Sequence, residues 1–332
     1  MITYLIIIVV LALLFDFING FHDTANAIAT SISTRALSPR VAIIMAASLN
    51  FIGAVVSSKV AKTVGGSIAD PSKIENGVEI VIAALLAAII WNLLTWYLSI
   101  PSSSSHTLLG ALAGAVIAGA GFHSVNWSGF TQIIIILILS PIIAFALGFI
   151  IMALIKYIII LSGNTSRSKL NRIFRGLQVV SAGLLSYSHG GNDAQKAMGI
   201  IVFGLVAADM QDSLDVPLWV KLAAALAMGL GTSIGGWRII KTISGKIVKI
   251  EPINGFASDL TSSLVIQFST HIGKPLSTTH VISSAIIGTG SVLRFHDVQW
   301  GTVGRMLITW VITIPISIVL SYLIYSVLFN LF

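Results

Sequence analysis

The sequence predicts an all-α, polytopic integral membrane protein built from two inverted repeats with broken helices. Three observations carry that reading. Of 332 residues 56% are apolar and only 9% charged, with a mean hydropathy of +0.97. Apolar stretches long enough to cross a bilayer follow one another down the chain, and two polar motifs recur in the same order in each half. A soluble domain carries about 25% charged residues, so lipid must cover the surface that polar side chains do not. With no cysteine, a disulfide scaffold, a zinc–cysteine site and a redox thiol are excluded.

Apolar stretches of roughly 17 to 25 residues are what a helix needs to cross about 30 Å of hydrocarbon. Ten spans are read in order: near residues 2–34, 40–58, 78–99, 101–121, 130–155, 176–208, 217–236, 256–273, 275–293 and 303–328. The first lacks a basic leader segment and a small-residue cleavage site, so it reads as a retained span. The first and sixth are too long for one straight crossing, since 33 residues reach about 50 Å. Both carry a glycine-flanked polar cluster, Asn19-Gly20-Phe21-His22-Asp23 and His189-Gly190-Gly191-Asn192-Asp193, where a break is expected. Residues 1–162 are read as the first repeat, 163–175 as a short basic loop and 176–332 as the second repeat.

Self-comparison supports the duplication. Gly20 to Ala27 aligns with Gly190 to Ala197 at an offset of 170, and Pro101-Ser102-Ser103-Ser104-Ser105-His106 aligns with Pro275-Leu276-Ser277-Thr278-Thr279-His280 at 174. An Asn-Gly pair, Asn76-Gly77 and Asn254-Gly255, opens the third span of each half. Five spans per half is odd, so the second half is inverted. The formal charge of +7 could suggest nucleic acid, but 13 of the 19 basic residues fall in the loops at Arg35/Arg40, Lys156 to Arg175, Arg238 to Lys249 and Arg294/Arg305. Those loops are then cytoplasmic, and both termini extracellular at a plasma membrane. The tryptophans, Trp91, Trp96, Trp127, Trp219, Trp237, Trp300 and Trp310, are assigned mostly to an interfacial belt.

The P-x-S-[ST]-[ST]-H segments place hydroxyls and free amides at a helix start, with proline suited to the first turn, an arrangement fit for an oxyanion. The plainer alternative is that Ser and Thr cap helices or bond back to carbonyls. Asp23 and Asp193 are carboxylates at membrane depth, costing about 2.5–3.5 kcal/mol each unless paired or hydrated. They, with Asn26 and Asn192, suit a proton or hard cation, whose entry would offset the cost of moving an anion against a negative interior. For Asp193 a static pair with Lys196, three residues on, remains open. His106 and His280 either orient the hydroxyl segments, titrate, or are structural. Asp16, Gln178 and Asn50 are also polar within apolar stretches, without an assigned role.

Asn19-Gly20-Phe21-His22-Asp23-Thr24-Ala25-Asn26-Ala27, Gly190-Gly191-Asn192-Asp193 and the two P-x-S-[ST]-[ST]-H segments resemble the signatures of the PiT family of inorganic phosphate transporters, over essentially the whole chain. The resemblance implies a symporter working by alternating access, taking phosphate with sodium in some members and with protons, often as a neutral metal–phosphate, in many bacterial ones. It assigns phosphate contacts to Ser103, Ser104, Ser105, Ser277, Thr278 and Thr279, and the coupling ion to Asp23, Asn26, Asn192 and Asp193. His22 and Lys196 stand where sodium-coupled members carry Asn, which favours protons as the co-transported ion and leaves Na+ as an alternative. No resident cofactor or metal is expected, Mg2+ or a similar ion entering only as part of the substrate. Partners are phosphate, the cation and the bilayer, with a homodimer left open. Sulfate or another tetrahedral oxyanion is the rival substrate. An intramembrane Ser-His-Asp hydrolase is the rival class; it is disfavoured because Ser105 and His106, being adjacent, face different ways.

Overall fold

The computed structural model describes residues 2–98, 100, 102–163, 166–234 and 247–330, and of Thr24, Ala25 and Asn330 the backbone only. Among them no strand forms. The helices are α1 (Ile2–Ser33), α2 (Pro39–Val56), α3 (Lys59–Gly66), α4 (Gly77–Tyr97), α5 (Ser104–Ala120), α6 (Trp127–Leu161), α7 (Arg167–Ala207), α8 (Leu218–Ile234), α9 (Pro252–His271), α10 (Thr278–Arg294) and α11 (Trp300–Tyr325). Pro101, Arg238, Lys241 and Lys246 lie outside the described residues.

Polarity is inside out. Ile142, Leu161, Leu226 and Val311 are more than half exposed, while Asp16, Asn50, Asp193 and Asp259 are fully buried. Lipid is the only solvent in which that distribution is stable. Five helices, α1, α2, α4, α6 and the one beginning at Trp300, are long and apolar enough to cross a membrane. The chain is therefore a helical membrane protein.

Loop contacts define two ends. At one, Arg35, Arg167, Arg175 and Glu251 share a cavity, Arg167 lies 3.3 Å from Glu251, and Gln299 N donates to Ile247 O at 2.8 Å. At the other, Asn126 N donates to Ile68 O at 2.8 Å and Lys62 pairs with Asp215 at 2.5 Å. The first is called the arginine face below. At the opposite face the ammonium of Lys62 holds the exposed Asp215 carboxyl below its usual range, and Lys73 with Ser72 does the same for Asp70. A depressed carboxyl contributes above its ordinary titration range and loses that contribution as pH falls through its folded value. Acidification from neutral pH is thus expected to expose residues 208–217 to limited proteolysis, with salt acting in the same direction because surface pairs are screened.

The two long helices run through their polar clusters without a break, against the sequence expectation. The glycines serve another purpose. A Cβ on Gly20 would meet the backbone of Met228 and Thr232, and one on Gly190 the backbone of Asn50, so these positions let helices cross closely. Both helices stay continuous through these positions. α1 and the part of α7 from Gln178 onward pack antiparallel: Ile8 on Gly204, Asn19 on Asp193, and Thr34, just past α1, on Gln178. Residues 167–175, expected as loop, form the first turns of α7.

The break occurs in the second crossing. α2 ends at Val56 and α3 resumes at Lys59, packing Val60 to Gly65 against Gly199 of α7. A helix start buried in lipid leaves orphan amides. Gln195 of α7 takes two of them, its Oε1 accepting from Val60 N at 2.8 Å and Ala61 N at 3.1 Å. Gln195→Ala should cost about 1–3 kcal/mol by leaving those amides unpaired. A lowered thermal midpoint of the detergent-solubilised protein is the check, and an unchanged midpoint would mean water replaces the amide.

The third and fourth spans of each half are a second departure. Gly119 at the end of α5 packs on Ile80 near the start of α4, so that pair begins and ends at the opposite face. Gly255 near the start of α9 packs on Gln178, and Gly290 near the end of α10 packs on Val248, so this pair begins and ends at the arginine face. Each is a re-entrant hairpin, not two crossings. The tips meet inside, Ser105 Oγ donating to Leu276 O at 2.6 Å. Beyond the tips the halves exchange partners: α5 packs on α11 through Gly110 and Gly114, and α10 packs on α6 through Gly288.

Candidate substrate and ion site

The two hairpin tips and the midpoints of α1 and α7 converge on one buried polar cluster. Ser103 and Ser277 are the N-caps of α5 and α10, each accepting from the backbone N–H of its histidine, His106 or His280, at 3.2 Å. Pro275 therefore lies before the cap and outside the first helical turn, three residues ahead of the first helical position, Thr278. The cap also places the next two hydroxyls on the inner side of each helix start. Ser104 Oγ donates to Asp23 Oδ2 at 2.7 Å, and its counterpart Thr278 donates to Asp193 Oδ2 at 3.0 Å.

One further pair breaks the two-fold pattern. Thr279 donates to Asp23 Oδ1 at 3.0 Å and accepts from Asn26 Nδ2 at 2.8 Å. The equivalent Ser105 bonds Leu276 O instead, because Lys196 occupies the position of Asn26 and turns to Asp193 Oδ1 at 2.7 Å. Thus consecutive threonines of α10 grip two carboxylates from different helices. Asn19 reaches from α1 to Asp193 Oδ2 at 3.5 Å.

Charge is arranged unequally. Asp193 faces a buried ammonium and, at 3.5 Å, the ring of His189, whereas the ion-pair contact of Asp23 is with His22, Nδ1 lying 2.7 Å from Oδ1, and Lys196 acts on it from farther away. The outer ring of contacts keeps the symmetry: His22 Nε2 lies 3.5 Å from Thr95 Oγ1, and Asn192 Nδ2 donates to Thr270 Oγ1 at 2.9 Å. The side-chain carbonyl oxygens of Asn19, Asn26 and Asn192 are buried without a hydrogen-bond partner. Such oxygens are ligand chemistry for a hard cation.

His22, Asp23, Asn26, Asn192, Asp193, Lys196, Ser103 to His106 and Ser277 to His280 come together here, each nearly or fully buried. Asn19, Thr95, His189, Gln195 and Thr270 were missed. Thr95 and Thr270 precede the two motif histidines by 11 and 10 residues, a weak repeat that two coincident hydroxyls could have revealed. Trp310 was misassigned to the interfacial belt. It is buried in the middle of α11 and stacks on His280 at 3.9 Å, while His280 lies 4.5 Å from His106. Behind the histidines a mostly apolar cavity of about 530 Å³ opens between α6 and α11. A Ser–His contact exists, Ser103 Oγ to His106 Nδ1 at 2.8 Å, but that oxygen is committed to the helix cap.

Known proteins are similar to this chain over most of its length. The sequence pattern of the phosphate transporter family matches residues 19–169 and 161–321. A probable low-affinity inorganic phosphate transporter of Bacillus subtilis is 58% identical over 98% of each chain. Proteins so named from Rhizobium meliloti and Mycobacterium tuberculosis are 42% and 43% identical over 96% and 94% of this chain, and 94% and 75% of their own. A solved structure of a sodium-dependent phosphate transporter superimposes with a TM-score of 0.89 at 22% identity, covering 99% of this chain and 100% of that one. At that identity the likeness speaks to the fold, and it extends to the whole helical arrangement. With its motifs gathered at one intramembrane site and its relatives aligned end to end, this chain belongs to the phosphate transporter family.

Proposed function

We propose that the protein is a secondary active symporter that imports inorganic phosphate, alone or as a neutral metal–phosphate, with protons, by alternating access between two inverted halves at the plasma membrane. One observation carries the coupling. Ser104, Thr278 and Thr279 each have one proton to donate, and all three give it to Asp23 or Asp193. While the carboxylates are charged, they compete with any oxyanion for those donors. A cation that neutralises them releases the hydroxyls toward phosphate, so each ligand favours the other. Ser103, Ser105 and Ser277, with the amides at the starts of α5 and α10, complete the oxyanion cradle.

Antiparallel α1 and α7, and hairpins entering from opposite faces, support the inverted arrangement. The concentration of Lys and Arg at the arginine face supports a cytoplasmic assignment for it and extracellular termini. Lys196 favours protons over sodium, since its ammonium already stands where a second metal cation would be needed. The partnerless oxygens of Asn19 and Asn26 favour the sodium reading. Uptake into proteoliposomes under proton, sodium and magnesium gradients imposed singly is the test, with sulfate and arsenate as competitors. Accumulation of phosphate with a proton gradient is expected, and none under any gradient would overturn symport. Lys196→Asn should create or strengthen sodium dependence; unchanged ion dependence would remove Lys196 from the coupling.

A further inference from the structure

Two buried carboxylates, Asp16 and Asp259, take no part in the site above. Both are fully buried. Neither oxygen of Asp16 has a hydrogen-bond partner. Asp259 Oδ1 accepts from Thr30 Oγ1 at 2.7 Å. The groups acting on Asp259 are Thr30 from α1 and Gln178 and Ser181 from α7, all uncharged. Those acting on Asp16 are Asp193 and Lys196 of α7.

Their placement is regular. Asp16, Asp23 and Thr30 are spaced seven residues apart on one unbroken helix. Seven residues make about two turns and a rise of about 10 Å, so the three share a face. Asn19 and Asn26 fill the intervening turns of that face, Thr34 follows just past the helix end, and every member of the row is buried. The row ends where Thr34 donates to Gln178 Oε1 at 2.6 Å, beside a cavity of about 370 Å³ lined by Ser33, Thr34, Arg35, Arg167 and Arg175. A carboxylate in lipid without a fixed cation is costly unless something mobile neutralises it. Hydroxyl and amide neighbours can pass a proton or ligate a small cation, but they cannot neutralise the charge.

Resting on the symport reading, we propose that Asp16 and Asp259 are transient stations for the coupling cation, flanking the Asp23–Asp193 pair, and that the polar face of α1 is its path. Asp16 receives the cation from the opposite face, and Asp259, through Thr30, delivers it to the arginine-lined cavity. Each station is neutral when loaded, so the cation moves between carboxylates about two helical turns apart.

Reconstituted wild type, Asp16→Asn, Asp259→Asn and Thr30→Val are compared in two assays: phosphate–phosphate exchange at symmetric pH, and accumulation driven by a gradient of one pH unit. One coupled proton supports at most about tenfold accumulation under that gradient. The expected result is exchange within about twofold of wild type with accumulation falling toward unity in all three variants, because the substrate site is intact and its drive is not. Wild-type accumulation in Asp16→Asn or Asp259→Asn overturns the proposal. So does parallel loss of exchange and accumulation in every variant, which marks a packing role. If Asp259→Asn fails to reconstitute, Thr30→Val decides the inner station by the same criterion. The wild-type arm tests the underlying reading separately. Drive by sodium alone removes the proton and moves the variant comparison to a sodium gradient, and drive by neither ion removes both symport and stations.

Discussion

Asp193→Asn is expected to destabilise the protein by about 3–5 kcal/mol and to abolish phosphate uptake, while adding Lys196→Gln restores most of the stability and none of the transport. Lys196 is 1% exposed, and its ammonium lies 2.7 Å from Asp193 Oδ1. Removing the carboxylate strands that charge in a medium that cannot hydrate it. Asp23 already accepts from Ser104 and Thr279 and faces His22, and Asp16, on which Lys196 also acts, forms no ion pair with that ammonium. The double variant deletes both charges and keeps the volume. Thermal unfolding in detergent measures the stability, and uptake in liposomes measures the function. A single variant as stable as the double would show that the ion pair does not anchor this region.

Gly190→Val is the second large effect, at about 1–3 kcal/mol or more, with loss of uptake. The added atoms would enter the backbone of Asn50 on α2, where no side chain can swing aside. α2 and α7 would have to part next to His189, Asn192 and Asp193, so damage to packing becomes damage to the site. Gly53→Ala should behave similarly, since its Cβ would meet the backbone of Tyr187 and Gly191. Gly176 is the control. A Cβ there meets nothing, and Gly176→Ala should raise stability by up to about 1 kcal/mol through helix propensity alone. Equal responses at positions 176 and 190 would refute the close-approach account.

Much of this protein can be read without coordinates, and the limits have physical causes. Hydropathy located the helices because lipid demands apolar runs, and each expected span became a helix within several residues except at the start of α7. Hydropathy could not separate a crossing from a hairpin arm, since α4 and α10, with 21 and 17 residues, are as long as crossing helices. Trading two crossings for a hairpin lowers the expected count per half by two, which leaves its parity odd. α3 escaped notice because eight residues with two lysines carry too little hydrophobicity. Glycine was the ambiguous letter: next to polar residues it suggested unwinding, whereas Gly20 and Gly190 allow contact between intact helices. The clustering of these side chains was legible from the repeat, because both motifs recur in the same order in each half. The unequal pairing of the carboxylates turned on one substitution, Lys196 at the place of Asn26, whose effect depends on which oxygen the ammonium reaches.

The exchange of hairpin partners between halves bears on how the molecule is made. α5 finds its neighbour in α11, with Gly114 against Ile318 and Ser321, so the first hairpin waits for about 200 residues of later chain. During synthesis the first half cannot close on itself. Its serine-rich tip gains its final wall only when the last helix inserts, so the meeting of the two tips is completed late in synthesis. A truncated chain would hold one tip without the other. Order of synthesis thereby decides when the polar interior closes.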